Sequence, residues 1–406
     1  MTFDKTFFQD PQPLYSELRA HGPVHRFTSP TGVSGWMVTD YDLARQALNN
    51  RNFVKTQDTM AGAAPGGESG SISARMRSWL RKQTAPWMVS HMLAAEPPDH
   101  TRLRAVVQNS FTPATLRSLR PTIETYADQL VAQARARAHG GRPFDLVEAF
   151  AFPLPVQVIC HILGVPDEHH RAIGECSRVL SDVIVADPDD LRRAALTLAR
   201  IIYPLLRQRR RRPEDDLLSV LMEARERGEM TLREVMSTVA LLLIAGHETT
   251  VNLIANTTYT LLSNRERFEQ LVAGTVKLNS TIEESLRYEP SLPTTTLRQA
   301  LSDVAFGGVQ MSKGDVVMIS LAAANRDDAK FPNPTEFDPA RATRGHLAFG
   351  YGIHHCIGAP LARMEGEIAL MRLVDAFPTL HLASHAPVWR ESIVFRGLES
   401  LMVEVH

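Results

Sequence analysis

Three glycines, two histidines and a cysteine lie within ten residues late in the chain. The stretch covers residues 349–358, and its cysteine, Cys356, is one of only three in 406 residues. Glycine allows tight backbone turns and a close approach to a ligand. Helix-forming residues follow the cysteine, and the positive end of a helix favours a thiolate over a thiol. These features predict a turn whose sulfur binds a metal or attacks a substrate.

Two of the chemistries open to this cysteine need partners that the sequence does not place. A zinc site could draw on His346, His354 and His355 beside Cys356, but the usual C-x-x-C or H-x-x-x-H spacing is absent. A cysteine nucleophile needs a base that a third group holds in position, and sequence alone locates neither group. Both chemistries stay open at this point.

A third chemistry, ligation of haem iron, requires a single thiolate in a protected turn. Buried haem also requires cationic groups for its two propionates. A helix predicted after Pro97-Pro98 would place His100 and Arg104 on one face, because residues four apart are neighbours on a helix. Together with Arg298 and His354, these side chains would suffice to bind the propionates if the fold brings them together.

A second candidate site lies in the middle of a long apolar helix. This helix should be central, because it is apolar nearly all round. Gly246 is a poor choice there, since glycine costs about 1 kcal/mol relative to alanine in a helix interior. The hydroxyl of Thr249 can bond to the carbonyl of Ala245 and bend the helix. We therefore predict a bulge with room for a small molecule beside Thr249 and the acid Glu248.

The bulk composition restricts the class of protein. Hydrophobic residues make up 44% of the chain and charged residues 22%, which is typical of a globular protein. The net charge of -1 provides no overall field to attract nucleic acid or a membrane. The three cysteines suggest no disulfide framework, and Cys160 and Cys176 are expected to be inert core residues. The absence of a disulfide framework favours a reducing cytoplasm. The longest plain apolar run, 239–245, is too short to span a bilayer, so we expect a soluble protein.

The periodicity of apolar residues predicts one mostly helical domain with small sheets. Its long central helix should begin at a capping box of Thr231 and Glu234. The first elements should be helices at 13–20 and 41–49 and strands at 24–27 and 35–39. The expected domain covers 1–406, with helical parts at about 95–290 and 358–377 and β-richer parts at about 20–60, 295–320 and 380–406.

Two further stretches permit both a structural and a functional interpretation. Residues 55–92 have weak periodicity, which predicts either a surface loop or a lid over a pocket. Five arginines lie within residues 207–212, and such a run can bind nucleic acid. Acidic residues follow at once, so we expect a solvated helix end and no nucleic-acid partner.

Four motifs in order along the chain resemble those of the cytochrome P450 monooxygenases. Residues 349–358 contain the pattern F-G-x-G-x-H-x-C-x-G, which resembles the haem-binding loop. The stretch A-G-H-E-T-T at 245–250 resembles the oxygen-activation motif, and His100-x-x-x-Arg104 matches the propionate-binding helix of bacterial members. Glu284-x-x-Arg287 resembles the family's buried ion pair, although these two residues alone fit a surface pair equally well.

The resemblance implies the soluble bacterial fold of this family, a triangular prism of helices with small β-sheets. Cys356 would be the axial thiolate of haem b, in a loop that includes Phe349 and Gly350. The oxygen-activation site would consist of Ala245, Gly246, Glu248 and Thr249, the last two delivering protons. The propionate contacts would be His100, Arg104, Arg298 and His354. The structural ion pair would consist of Glu284, Arg287 and Arg341.

The same resemblance implies a monooxygenase that hydroxylates or epoxidises a mid-sized, mainly apolar substrate in bacterial secondary metabolism. Two electrons would come from NAD(P)H through ferredoxin reductase and ferredoxin, with the ferredoxin docking near Arg102, Arg344 and Arg363. The protein would be a monomer with no membrane partner. By family position, the substrate pocket would include Met88, Val89, Val183, Leu242, Ala245, Thr294, Thr295 and Val394.

Two alternatives to this function remain. The first is a peroxygenase or isomerase that uses peroxide or no reductant, against which the Glu248-Thr249 pair argues. The second is a haem-binding sensor or partner protein without catalytic activity, which would consume no oxygen with any reductant.

Overall fold

The computed structural model describes residues 3–29, 32–55, 89–181, 187–383 and 387–405. Helices dominate these ranges, and the prediction of a mainly α fold with small sheets is confirmed. The helices are α1 (Lys5–Gln9), α2 (Gln12–His21), α3 (Tyr41–Asn49), α4 (Asp99–Gln108), α5 (Pro113–Arg137), α6 (Pro153–Leu163), α7 (His170–Ser181), α8 (Pro188–Arg211), α9 (Leu217–Glu226), α10 (Leu232–Leu262), α11 (Arg265–Val272), α12 (Leu278–Tyr288), α13 (Leu321–Ala324) and α14 (Ala359–Ala376).

Ten short strands form three sheets within the described ranges. The strands are β1 (Val24–Thr28), β2 (Ser34–Val38), β3 (Phe53–Val54), β4 (Phe144–Asp145), β5 (Arg298–Ala300), β6 (Val304–Phe306), β7 (Val309–Met311), β8 (Val316–Ile319), β9 (Leu380–Leu382) and β10 (Met402–Val405). The largest sheet has the order β1-β2-β8-β5-β3. Its edge pairing, β3 antiparallel to β5, brings Val54 opposite Gln299 and so fixes the chain beside Arg298.

The long central helix, α10, begins as predicted. The Thr231 hydroxyl accepts from the Glu234 N–H, and the Glu234 carboxylate accepts from the Thr231 N–H. The helix packs against α6, α7, α12 and α14, which explains why its apolar residues cover almost its whole circumference. By length and composition, α10 is the one described helix that could cross a bilayer, but 72% of its most apolar window is buried in the protein.

The expectation of a solvated helix end at 207–212 is correct for four of its five arginines, since Arg207, Arg210, Arg211 and Arg212 are exposed. It is wrong for Arg209, which is only 5% exposed. Its guanidinium lies 2.5 Å from Asp216 and 2.9 Å from Glu214, and it also donates to the carbonyl of Gly164. The acidic residues that follow the run thus fold back on one of its arginines and bury it, because a buried guanidinium requires paired acceptors.

Candidate functional site

The loop that carries Cys356 turns through two glycines in left-handed conformations. Gly350 and Gly352 have φ angles of 70° and 76°, a region that side chains rarely adopt. A Cβ on Gly352 would lie 2.4 Å from Oδ1 of Asn49 and 3.3 Å from the Leu48 carbonyl, so the loop packs closely against the end of α3. The Cys356 N–H donates to the Phe349 carbonyl at 2.9 Å and closes the turn.

The sulfur of Cys356 lies at the amino-terminal end of α14. Cys356 as a residue is exposed, but the protein atoms packed around its sulfur desolvate the thiol and raise its pKa. The N–H groups of Gly358 and Ala359 and the charges of Arg104 and Arg363 oppose this shift. The loop therefore stabilises a thiolate in part, and a metal cation at the sulfur would supply the remainder.

Two histidines from distant segments meet beside this loop. The rings of His100, on α4, and His354 are in edge-to-face contact with centroids 4.5 Å apart. Burial lowers the pKa of His354 to about 4, although Glu96, 3.6 Å from its Nε2, opposes the shift. Both predicted histidines therefore lie in one cluster.

Two predicted arginines flank the histidines. Arg298 is 4% exposed, and its Nη1 donates to the Phe53 carbonyl at 3.0 Å. Arg104 donates to the His355 carbonyl at 2.9 Å, and its charge acts on His100. The four residues predicted to bind propionates are thus brought to the same side of the Cys356 loop.

Sequence reasoning missed two members of this cluster, Lys55 and Glu96. Lys55 is 6% exposed, and its N–H donates to Oε1 of Glu96 at 3.0 Å. Neither residue lies in a recognisable motif. Lys55 follows β3 directly, and the pairing of β3 with β5 places it next to Arg298.

Unpaired nitrogen atoms indicate that the cluster fits an anionic ligand. In the described ranges, Nε2 of His100, Nε of Arg298 and Nε2 of His354 are buried without a hydrogen-bond partner. Buried polar atoms are seldom left unpaired. Nε of Arg298 is a donor, and so is Nε2 of a neutral histidine in the tautomer that carries its proton there, so the two carboxylates of haem are suitable acceptors. The residues present therefore fit the haem that the sequence implies. Over the same ranges, no group of three or more His, Cys, Asp and Glu side chains forms an alternative ion site.

The middle of α10 differs in part from its prediction. The Thr249 hydroxyl donates to the Ala245 carbonyl at 2.8 Å, as expected. The helix is nevertheless an uninterrupted α-helix, so the predicted bulge is wrong. Gly246 has a packing role instead, because a Cβ there would lie 3.0 Å from Cδ1 of Ile159 on α6. Ala245 is exposed and Thr249 half-buried, so this face of α10 is accessible.

The acid Glu248 is held in a buried ion pair that the sequence did not predict. Arg390, in the segment after β9, donates to its Oε1, and Nε2 of His247 lies 3.4 Å from its Oε2. Burial would raise the pKa of Glu248, but His247 and Arg390 outweigh it and lower this pKa to about 2. The carboxylate is therefore ionised at neutral pH, and proton delivery by Glu248 stays a prediction.

Glu284, Arg287 and Arg341 form one network. Both Glu284 and Arg287 are 0% exposed, and two N–O contacts of 2.7 Å join them. Arg341 donates to the same carboxylate at 3.2 Å. The surface-pair interpretation of Glu284 and Arg287 is therefore wrong. Arg287 also donates to the backbone carbonyls of Asn325, Pro334 and Glu336.

The predicted pocket residues are only partly described. Met88 and Val183 lie outside the described residues, as does most of the predicted lid at 55–92. The Thr294 hydroxyl donates to the Ile393 carbonyl at 2.9 Å, which joins the two segments expected to line the pocket. Val89, Thr295 and Val394 are half-buried, Leu242 is buried and Ala245 is exposed.

Comparison with known proteins identifies similar chains along the whole length. The family model described as Cytochrome P450 matches residues 47–273 and 277–389. Cytochrome P450 107B1 of Saccharopolyspora erythraea is 38% identical, with 99% of this chain and 97% of that protein covered. The 6-deoxyerythronolide B hydroxylase of the same organism is 36% identical, with 98% and 97% covered. The tirandamycin C-bound P450 monooxygenase TamI superposes with a TM-score of 0.89 at 36% identity, and both chains are covered completely.

Proposed function

The chain belongs to the cytochrome P450 family, and on that premise we propose that it hydroxylates or epoxidises a mid-sized, mainly apolar organic substrate. Enzymes of this family are monooxygenases that hold haem b and receive electrons from NAD(P)H through redox partners. The observation that carries the proposal is the Thr249 hydroxyl on the accessible face of α10, in a chain that also has Cys356 in its glycine turn.

Haem, when bound, supplies the oxygen chemistry, and the protein supplies ligand, orientation and proton path. Cys356 would supply the thiolate that binds the iron, with the N–H groups of Gly358 and Ala359 directed at its sulfur. His100, Arg104, Arg298 and His354 would hold the propionates. The Thr249 hydroxyl would exchange its bond to the Ala245 carbonyl for one to a ligand or water and so position a proton.

The substrate class is proposed from the relatives and from the apolar character of α10. One relative is named for hydroxylating 6-deoxyerythronolide B, and one similar structure contains tirandamycin C. We therefore propose a polyketide-like or comparably apolar natural product from bacterial secondary metabolism. Ligand pockets of this kind are mostly apolar with few polar groups.

A binding screen tests the substrate class. Macrolides, other polyketides, terpenoids and small polar acids are added to the ferric holoprotein, and binding next to the haem is followed by the shift of the haem absorption band. We expect saturable shifts from at least some macrolide- or polyketide-sized compounds and none from the polar acids. Shifts confined to the polar acids would contradict the proposed class.

Replacement of Thr249 tests oxygen activation. For Thr249→Ala we expect electron consumption to continue while product per NAD(P)H falls several-fold and peroxide rises, because no side-chain hydroxyl positions the proton. Thr249→Ser keeps a hydroxyl and should retain most of the coupling. Equal coupling in Thr249→Ala and the parent protein would remove Thr249 from the proton path.

The parent protein also tests the two alternative functions. Product formation with peroxide alone and none with oxygen would favour a peroxygenase. No oxygen consumption with any reductant would favour a sensor.

Ferredoxin is the proposed electron donor, and we propose for it a smaller docking surface than the three arginines predicted from the sequence. Arg344 is exposed. Arg363 forms contacts of 2.6 and 3.0 Å with Glu283, and Arg102 lies 2.7 Å from both Asp99 and Glu234. The charges of Arg102 and Arg363 are therefore offset within the protein. We propose a soluble, monomeric, cytoplasmic enzyme to which ferredoxin binds close to the Cys356 loop.

A further inference from the structure

We propose that Lys55 is a further cationic contact for the haem propionates and that haem binding is coupled to proton uptake by this lysine. The proposal rests on haem as the cofactor of the family and is independent of the substrate and electron donor proposed above. Lys55 lies outside every motif of the chain, and its position follows only from the fold.

The backbone holds Lys55 at the edge of the propionate cluster. The Phe53 carbonyl, two residues before Lys55, accepts from Nη1 of Arg298 at 3.0 Å. On the other side, the Lys55 N–H donates to Glu96 at 3.0 Å, and Glu96 lies 3.6 Å from His354. Lys55 thus lies between two residues that belong to the cluster, directly after strand β3, which pairs with β5.

The cluster has more positive groups than the described residues neutralise. The charge of Lys55 acts on both His100 and His354 and lowers their pKa values, after the larger effect of burial. Among the described residues, Glu96 is the one acid that acts on Lys55, Arg298 and both histidines. A lysine that is 6% exposed is rare without a paired anion. A ligand with two carboxylates supplies the charge that this cluster lacks.

The protonation of Lys55 depends on that anion. Burial, and then the charge of Arg298, lower the pKa of Lys55 to about 7, and Glu96 only partly opposes them. A propionate nearby favours the ammonium form and raises the pKa. Between the lower and the raised pKa, Lys55 takes up a proton when haem binds, so the contribution of this lysine to haem affinity falls as pH rises above about 7. The pKa values of His100 and His354 are lowered from 6.5. Proton exchange by these two histidines would therefore affect haem binding only at more acidic pH.

Haem transfer from the holoprotein to excess apomyoglobin tests the proposal at pH 7 and pH 9. We expect Lys55→Met to lose haem about tenfold faster at pH 7, since a charge-assisted hydrogen bond is lost. From pH 7 to pH 9, haem loss should accelerate more in the parent protein than in Lys55→Met, because deprotonation of Cys356 on binding iron is common to both proteins. Lys55→Arg keeps a charge that does not titrate in this range, so it should be slow at both pH values. Lys313→Met, on the exposed turn between β7 and β8, is the matched control.

The reduction potential of the bound haem gives a second readout. Removing a positive charge near the propionates disfavours addition of an electron, so the midpoint potential of Lys55→Met should fall while that of Lys313→Met stays at the parent value. A parental rate of haem loss and an unchanged potential in Lys55→Met would overturn the proposal. So would a Lys55→Met variant that keeps the parental acceleration between pH 7 and pH 9. Neither measurement uses substrate or ferredoxin, so failure here is distinct from failure of the proposed function.

Discussion

Cys356→Ala is expected to abolish the red-shifted absorption band of the ferrous carbonyl complex. That band requires a thiolate on iron, and the Cys356 loop places its sulfur against the N–H groups of Gly358 and Ala359 at the start of α14. An alanine has no ligating atom, so any haem that remains should give the carbonyl band of a neutral ligand or of none. Absorption spectroscopy of the reduced, carbon monoxide-saturated protein measures the outcome.

Cys160→Ala is the matched control, because Cys160 is also a cysteine but is fully buried in α6. Burial raises the pKa of the Cys160 thiol to about 12, so it is protonated and unsuited to bind iron. This variant should retain the red-shifted band in full. A red-shifted band in Cys356→Ala, or its loss in Cys160→Ala, would show that the ligand assignment is wrong.

The parts of the fold that sequence predicted are those governed by local interactions. The helix at 41–49 has its expected bounds, and the capping box of Thr231 and Glu234 is present. Caps and apolar periodicity involve residues a few positions apart, so the sequence alone is enough to predict them. The glycine turn around Cys356 could be predicted for the same reason, since its two left-handed glycines lie within the motif itself.

The parts that sequence missed depend on contacts between distant segments. Arg390 is 142 residues from Glu248, its ion-pair partner. Lys55 joins the propionate cluster only through the pairing of β3 with β5. Gly246 suggested a bulge because glycine is unfavourable in helices. The structure instead explains the glycine by the close approach of Ile159 from α6, which leaves little room for a side chain. No local sequence pattern predicts these contacts, because each of these residues, taken with its sequence neighbours alone, fits an ordinary structural role.

The loss of folded, haem-loaded protein is the expected result of Arg287→Ala. The substitution leaves the fully buried Glu284 carboxylate with Arg341 and one backbone N–H, and it removes donors from three backbone carbonyls. Breaking a buried pair by removing one partner costs about 3–5 kcal/mol, a large share of the 5–15 kcal/mol that typically stabilises a protein, as an order of magnitude. Urea unfolding and the ratio of haem to protein after purification measure the effect.

Two further variants separate the role of this network from a general effect of losing an arginine. Arg171→Ala removes an exposed helical pair with Glu175, and its unfolding midpoint should match the parent protein. Arg287→Lys keeps the charge but cannot reproduce the two parallel bonds to Glu284, so its stability should fall between the parent and Arg287→Ala. Turnover per bound haem should be nearly unchanged in whatever fraction folds, because Arg287 touches backbone carbonyls and Glu284 rather than the Cys356 loop. If Arg287→Ala has the same yield of haem-loaded protein and the same urea-unfolding midpoint as the parent protein, a structural role is contradicted. Normal stability with lost turnover would place Arg287 in catalysis instead.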